Sequence, residues 1–429
     1  MKELIETEEK PKRALLIGIR DGKRSKKEAD SSARELTGLV DTLGLEIASL
    51  EMVHVREKSA QYGMGTGKAE ELAQKAASLE VECIIFDRDL SPSQQRNWEE
   101  LPVCMNAGIS AIDRQELIIQ IFASRARTRE AELQINLAEL VYALPRLQHK
   151  YIDLSRQRGG HYGTRGSGET RLETDRRQLE QRIHRLEEEL EEVKLQRQVQ
   201  RKQRERQGIP VCALVGYTNA GKSSVLNALT GAGVLAEDKL FATLDPTSRR
   251  LELPEGMQIL VVDTVGFIRR LPHNLINAFR STLEEASHAD ILLHILDVSE
   301  EEHTGQYETT LSVLQELGAG NIPMITVLNK IDRLQSAEEL EAFLKMYPDS
   351  VPISATNGKG LPELCAHLEH TLSGGITRFR FPPERTDLAA LLHRTGQVIA
   401  ENYGENFIEI EARVDERTVG RLKEYLVNE

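Results

Sequence analysis

The octapeptide Gly216-Tyr217-Thr218-Asn219-Ala220-Gly221-Lys222-Ser223 constrains this chain more than any other feature. It fits G-x-x-x-x-G-K-[ST], directly follows the apolar run VCALV, and continues into SSVLNALTG, which has helical character. Strand, glycine-rich loop and helix in that order form a phosphate cradle. Backbone N–H groups curl around phosphate oxygens, and the helix N-terminus adds the positive end of its dipole. In such a cradle Lys222 is expected to neutralise the β- and γ-phosphates, and the Ser223 hydroxyl to ligate Mg2+.

Three further motifs narrow the ligand. MQILVVD reads as a strand ending in Asp263-Thr264-Val265-Gly266, where the aspartate can hold Mg2+ through water and the Gly266 N–H can meet a γ-phosphate. IPMITVL ends in Asn329-Lys330-Ile331-Asp332. The Asp332 carboxylate can accept from guanine N1–H and the exocyclic amine; adenine offers no such pair, so a desolvated carboxylate would go unsatisfied. SVPIS leads into Ser354-Ala355-Thr356, whose amides can reach guanine O6. Each motif sits at the carboxyl end of an expected strand, where open α/β sheets bind ligands. Any one of them alone reads as an ordinary strand-to-helix turn. The four in this order predict a Mg2+-dependent GTP-hydrolysing domain, with Lys222 and Gly266 among its catalytic groups.

Between the first two motifs lies LFATLDPTS (240–248). A threonine here should supply a second Mg2+ ligand and fold over the γ-phosphate as a switch loop. Thr243 and Thr247 both qualify, and spacing does not choose between them. After D-x-x-G stands Phe267, where Ras-like enzymes carry a water-orienting glutamine. Phenylalanine cannot hydrogen-bond a water, so turnover is expected to be slow alone or completed by a group from elsewhere. The Asn219 carbonyl could help hold a monovalent cation such as K+ near the phosphates; the alternative is a side chain that braces the loop.

The rest of the chain reads as three further parts. Residues 1–113 alternate strand candidates (14–20, 45–55, 81–87) with helices (31–43, behind a serine cap, and 69–80), a small α/β domain. In 114–208, Leu133, Leu137, Leu140 and Leu144 mark one face of a helix. Beyond a break holding Pro145 and RGGHYGTRGSGET (158–170), Leu172, Leu179, Leu186 and Val193 repeat every seven residues, with Ile183 and Leu190 between. Two helices of roughly 35 residues, each about 50 Å long, predict an antiparallel hairpin with a glycine-rich tip; two unrelated helices and a linker are the alternative. The GTPase domain spans 209–373. Residues 374–429 read as strand, helix (LAALLHRTGQVIAEN), strand and helix, a small α+β domain. The fold class is therefore multidomain α/β, with a mostly parallel sheet in the P-loop domain.

Composition excludes several classes. No apolar run approaches the ~20 residues of a membrane span, and the N-terminus lacks the apolar core of a secretory signal. Four scattered cysteines without a CxxC pair argue against a zinc or disulfide framework and for the reducing cytoplasm. A net charge of −13 argues against binding nucleic acid, DNA included, over the whole surface, yet leaves room for a local basic patch. From Ser155 to Gly168 such a patch exists: Arg156, Arg158 and Arg165 stand with His161 and Tyr162 and no acidic residue. Arginines pair with phosphates, Tyr162 could stack on an unpaired base, and glycines permit close approach. A solvated loop is the alternative.

Taken together, RGGHYGTRGSGETRLETDRR (158–177), GYTNAGKS, LFATLDPTS, DTVGFIRRLP, NKID and SAT resemble the HflX family of translation-factor-class GTPases along nearly the whole chain. The resemblance implies that Thr243 is the Mg2+ ligand and a catalytic group, with Phe241, Ala242, Leu244 and Asp245 flanking the nucleotide. It also implies binding to the large ribosomal subunit, splitting of stalled or idle ribosomes, and hydrolysis stimulated by the ribosome. ATP use through the N-terminal domain, reported for some members, would fall on GMGTGKAEE (63–71), which lacks a P-loop's first glycine (Tyr62) and metal-binding hydroxyl (Ala69). A guanine-nucleotide-controlled protein scaffold without ribosomal RNA contact is the alternative function. A hairpin that buries its own seam suggests a monomer.

Overall fold

The computed structural model describes residues 12–22, 25–55, 59–157, 167–207, 209–231, 233, 239–242, 247–269, 285–373, 376–404, 406–414 and 416–427. The chain divides into two compact units. One comprises Met1–Arg197 with Glu237–Asp245 and Val265–Leu283; the other comprises Gln198–Ala236, Pro246–Thr264 and Glu284–Glu429.

The first unit opens with β1 (Arg13–Asp21), α1 (Lys26–Thr42), β2 (Glu46–Val55), α2 (Thr66–Ser78), β3 (Cys83–Phe86), α3 (Pro92–Glu99), α4 (Pro102–Ala107), β4 (Ser110–Ile112) and α5 (Arg114–Arg125). The four strands pair in parallel in the order β2-β1-β3-β4. β1 is buried from Ala14 to Ile19, as a strand covered on both faces must be. Its core centres on Trp98, which lies 4.9 Å from the Phe86 ring and donates its Nε1–H to Tyr62 O at 3.1 Å. α1 starts earlier than the apolar pattern suggests. Ser25 Oγ accepts from Glu28 N (3.2 Å) and Glu28 reaches back to Ser25 N (2.7 Å), a capping box lying within a charged run. GMGTGK forms the turn into α2, with Gly65 as its N-cap.

α6 (Arg129–Gln157) and α7 (Ser167–Gln207) follow. Leu133, Leu186 and Leu190 are buried together, with Leu137, Leu140 and Val193 beside them. Arg197 pairs with Glu130 (2.7 Å) and Arg129 with Glu189 (3.4 Å), so the start of α6 lies along the later turns of α7. The break expected at Pro145 is absent. α6 runs through this proline, which leaves the Val141 carbonyl without its usual donor four residues on. The adjoining Arg146 anchors the helix there. Its Nε donates to Gln95 Oε1 (2.7 Å), and its Nη2 donates to Leu90 O and to Asp113 Oδ2 (both 3.1 Å). The guanidinium also lies over the Tyr142 ring. Asp113 in turn accepts from Leu90 N and Glu116 N, capping α5.

The second unit contains β5 (Val211–Gly216), α8 (Lys222–Thr230), β6 (Thr247–Glu252), β7 (Gln258–Asp263), β8 (Ile291–Asp297), α9 (His303–Glu316), β9 (Met324–Asn329), α10 (Ala337–Met346), β10 (Val351–Pro352) and α11 (Leu361–Ser373). The six strands run in the order β10-β9-β8-β5-β7-β6, parallel except for the edge strand β6. A three-stranded antiparallel sheet ends the chain, built from β11 (Ile376–Phe381), β12 (Gly396–Tyr403) and β13 (Ile408–Val414), with α12 (Thr386–Thr395) and α13 (Glu416–Arg421). Here one expectation fails: the helix expected to run to residue 402 stops at Thr395, and GQVIAENY pairs with β13 as a strand. Gly396 cannot favour continuation, and the β-branched Val398 and Ile399 suit a pleated edge.

Arg146 is the cation beside a buried carboxylate, and burial pushes Asp113 up to about 6 even with Arg146 at hand. Arg146→Ala is expected to cost about 3 kcal/mol of stability at pH 7, since removing one partner strands the other. The deficit should shrink as pH falls through 6, because a protonated Asp113 no longer needs the cation while the unfolded carboxylate titrates near 4. Urea unfolding followed by Trp98 fluorescence at pH 7 and pH 5 measures both. A pH-independent deficit would show that the ion pair is not its source.

Candidate nucleotide site

Four segments meet at the carboxyl end of the six-stranded sheet. β5 ends in the loop 216–221, β7 in Asp263, β9 in Asn329, and β10 leads to Ser354. The loop closes as it does because of its glycines. Gly216 has φ +143°, and a Cβ there would lie 2.3 Å from Ile295 O; Gly221 has φ +95°, and a Cβ there would lie 2.4 Å from Asn329 Nδ2. Neither position can carry a side chain without moving backbone or a buried amide.

Asn329 joins the loops. Its Nδ2 donates to Ala220 O (2.9 Å), and its Oδ1 accepts from Ala355 N (3.2 Å). Lys330, at φ +64°, donates from Nζ to Asn219 O (2.9 Å) and pairs with Asp297 Oδ2 (2.6 Å). The Ser354 hydroxyl donates to Asp332 Oδ1 at 2.5 Å, and Ile331 N bonds Ile353 O. Asp332 is solvent-exposed at the rim, with its carboxylate beside the Ser354–Ala355–Thr356 turn. Sequence reasoning did not single out Asp297. The signal was present, an aspartate ending the wholly buried strand ILLHILD.

Lys222 is buried, and its Nζ donates to Gly216 O (3.2 Å) and Tyr217 O (2.8 Å). Burial pushes it down to about 8, against the pull of Asp263. An ammonium held in that way gains from an incoming polyanion. His294 of β8 is wholly buried, and burial together with the Lys222 charge holds it neutral, near 3. Ser223 Oγ lies 2.7 Å from Asp263 Oδ2. A hydroxyl and a carboxylate side by side form the hard oxygen set that Mg2+ takes when phosphates and waters complete its shell. No group of three His, Cys, Asp or Glu among the described residues could hold a metal by itself. Thr264 Oγ1 donates to Leu214 O (2.6 Å), fixing the chain as it leaves β7.

Thr243, Leu244 and Asp245 lie outside the described residues, and Thr247 opens β6 in register with Asp263. The Phe241 side chain is buried against Phe122, centroids 4.6 Å apart, so it can offer a nucleotide only backbone. Val265, Gly266, Phe267 and Ile268 are all buried. Among the residues expected to contact RNA, Arg158, His161, Tyr162 and Arg165 lie outside the described residues, and Arg156 falls in the last turn of α6.

Three family descriptions match the chain in order: "GTP-binding GTPase N-terminal" over residues 30–123, "GTP-binding GTPase Middle Region" over 125–204 and "50S ribosome-binding GTPase" over 211–330. The GTPase HflX of Akkermansia muciniphila is 43% identical over 99% of this chain and all of its own length. That of Magnetococcus marinus is 41% identical, covering 98% of this chain and 96% of its own. The Escherichia coli protein is 41% identical, covering 84% of this chain and 84% of its own. The chain belongs to the HflX family of GTPases. As a member of that family it binds guanine nucleotide and hydrolyses GTP, and its P-loop domain is of the class that works with Mg2+.

Asn329→Ala removes the donor to Ala220 O and the acceptor for Ala355 N, both inside the site. Two lost buried hydrogen bonds cost roughly 2–4 kcal/mol of folding stability, so the melting temperature is expected to fall by several degrees and GDP affinity to fall with it as the two loops lose their tie. Fluorescent-GDP titration measures it; a loss under threefold would remove Asn329 as the tie between the loops.

Proposed function

We propose that this HflX-family GTPase works on the ribosome: it binds the large subunit, separates stalled or idle ribosomes into subunits, and hydrolyses GTP faster when bound. The observation that carries this reading is Phe267, buried where a water-orienting group would be needed. An apolar side chain there leaves hydrolysis incomplete without a partner. The description "50S ribosome-binding GTPase" over 211–330 and the arginine-rich stretch 156–165 favour the large subunit as that partner.

In this reading Lys222 neutralises the β- and γ-phosphates, the Gly266 N–H meets the γ-phosphate, and Asp332 with Ser354, Ala355 and Thr356 selects guanine. Ser223, Asp263 and Thr243 would hold Mg2+, which would offset the phosphate charge. The chain acts in the cytoplasm as four parts, 1–113, 114–208, 209–373 and 374–429, with Arg156, Arg158, His161, Tyr162 and Arg165 carried to ribosomal RNA at the hairpin tip. Asn219 either contributes to a K+ site or braces the loop.

The test is GTP hydrolysis by the purified protein, alone and with isolated large ribosomal subunits, in K+ and in Na+, beside Lys222→Ala. Slow turnover alone, at least tenfold stimulation by the subunits and loss of both in Lys222→Ala are expected. Unstimulated turnover with GTP binding intact would sink the ribosomal reading in favour of a protein scaffold. A large excess in K+ assigns Asn219 to the cation, and equal rates assign it to the brace.

A further inference from the structure

The two segments that follow the phosphate loop, Glu237–Asp245 and Val265–Leu283, belong to the same compact unit as the N-terminal sheet and its helices. Two helices of that unit, α1 and α5, hold them by contacts that the nucleotide motifs do not explain. The first is a backbone clamp. Glu35 and Arg114 pair with each other at 3.0 Å while nearly buried, with 9% and 3% of their side chains exposed. Between them they hold the backbone of one residue: Arg269 N donates to Glu35 Oε1 (3.3 Å), and Arg269 O accepts from Arg114 Nη2 (3.4 Å). Arg114 Nη1 is fixed from behind by Asp87 Oδ1 at 2.7 Å. An acid and a base reading the N–H and the C=O of the same residue specify a backbone position, whatever its side chain.

The second contact holds the other segment. The Leu240 N–H donates to Thr42 Oγ1 (3.2 Å), and Leu240 Cδ1 sits over Gly38, where a Cβ would come within 3.1 Å. Phe241 stacks edge-on against Phe122. Its φ of +55° is rare for a bulky side chain and persists only where surroundings over-determine it. Both anchor points border residues whose place depends on the γ-phosphate in the reading above: Arg269 follows Gly266 by three positions, and Phe241 precedes Thr243 by two.

We propose that Glu35 and Arg114, with Phe122 as second anchor, are positioning residues that couple α1 and α5 to the presence of the γ-phosphate. The clamp is made in one nucleotide state and loosened in the other. By linkage, whatever the γ-phosphate does to the clamp the clamp does to GTP affinity. GDP, which ends at the β-phosphate, is bound by the loop and the base motifs alone. The proposal rests on Gly266 as the γ-phosphate contact and is independent of any ribosomal partner.

The experiment uses the full chain and four variants: Arg114→Lys and Glu35→Gln, which keep bulk at the clamp; Phe122→Leu, which leaves the buried ion pair intact; and Arg20→Ala, a control that removes a half-exposed ion pair with Asp30. Affinities for GDP and for a non-hydrolysable GTP analogue are measured with hydrogen exchange of α1 and α5 in each state. In the unaltered protein, exchange of α1 and α5 is expected to differ between the two nucleotides. In the clamp and Phe122 variants that difference should collapse and analogue affinity should shift at least fivefold, with GDP affinity within twofold of normal; Arg20→Ala should change neither. Parallel shifts for both nucleotides, or no shift in Phe122→Leu and in whichever clamp variant folds, would overturn the coupling. If exchange at 265–269 in the unaltered protein does not respond to the γ-phosphate, the assignment of Gly266 fails first, a result distinct from loss of coupling in the variants alone.

Discussion

The side-chain amide of Asn329 spans two loops at the carboxyl end of the six-stranded sheet. It donates to the phosphate loop at Ala220 O and accepts from the base loop at Ala355 N. The close fit reaches Gly221, where any Cβ would collide with that amide. The parallel sheet supplies the platform, since β5, β7 and β9 all end at one edge and their register brings Leu214 beside Asp263 and Asp297 beside Asn329. Asp297 and Lys330 then tie the end of β8 to Asn219 O. The candidate site is thus a set of loop ends cross-braced by polar side chains and positioned relative to one another by a few buried hydrogen bonds.

Much of this was legible in the residues, for a physical reason. A phosphate cradle needs glycine at fixed places and a lysine and hydroxyl just after them, so chemistry and local backbone geometry coincide in one short stretch. The buried strands were equally plain, because a strand covered on both faces must be apolar along its length, as ILLHILD is. What escaped was decided by tertiary context. Pro145 reads as a helix break, yet α6 continues through it beside an arginine that bonds α3, the end of β4 and the loop before α3. GQVIAENY has helical neighbours and pairs as a strand because β13 offers a partner. Ser25 caps α1 from inside a lysine-rich run that carries no apolar period.

Phe241 shows the same limit at the site itself. Within LFATLDPTS it reads as a flank of the nucleotide, but its ring is buried against Phe122, more than a hundred positions away in sequence. No local pattern announces that pairing. The same is true of Glu35 and Arg114, which sit in ordinary amphipathic helices and acquire their meaning only where the Arg269 peptide comes between them.

The adjacency of Asp113 and Arg114 carries this further. Asp113 caps α5 and holds Arg146 in the second half of α6; Arg114, the next residue, holds Asp87, Glu35 and the carbonyl of Arg269. Consecutive side chains at one helix N-terminus therefore touch the second half of α6 on one side and the segment after D-x-x-G on the other. Both are buried and ion-paired, and buried pairs are costly to break singly, so neither contact can shift far without straining the first turn of α5. A small displacement of the Arg269 backbone would reach α6 at Arg146 through one residue of helix, with no need for a longer chain of contacts.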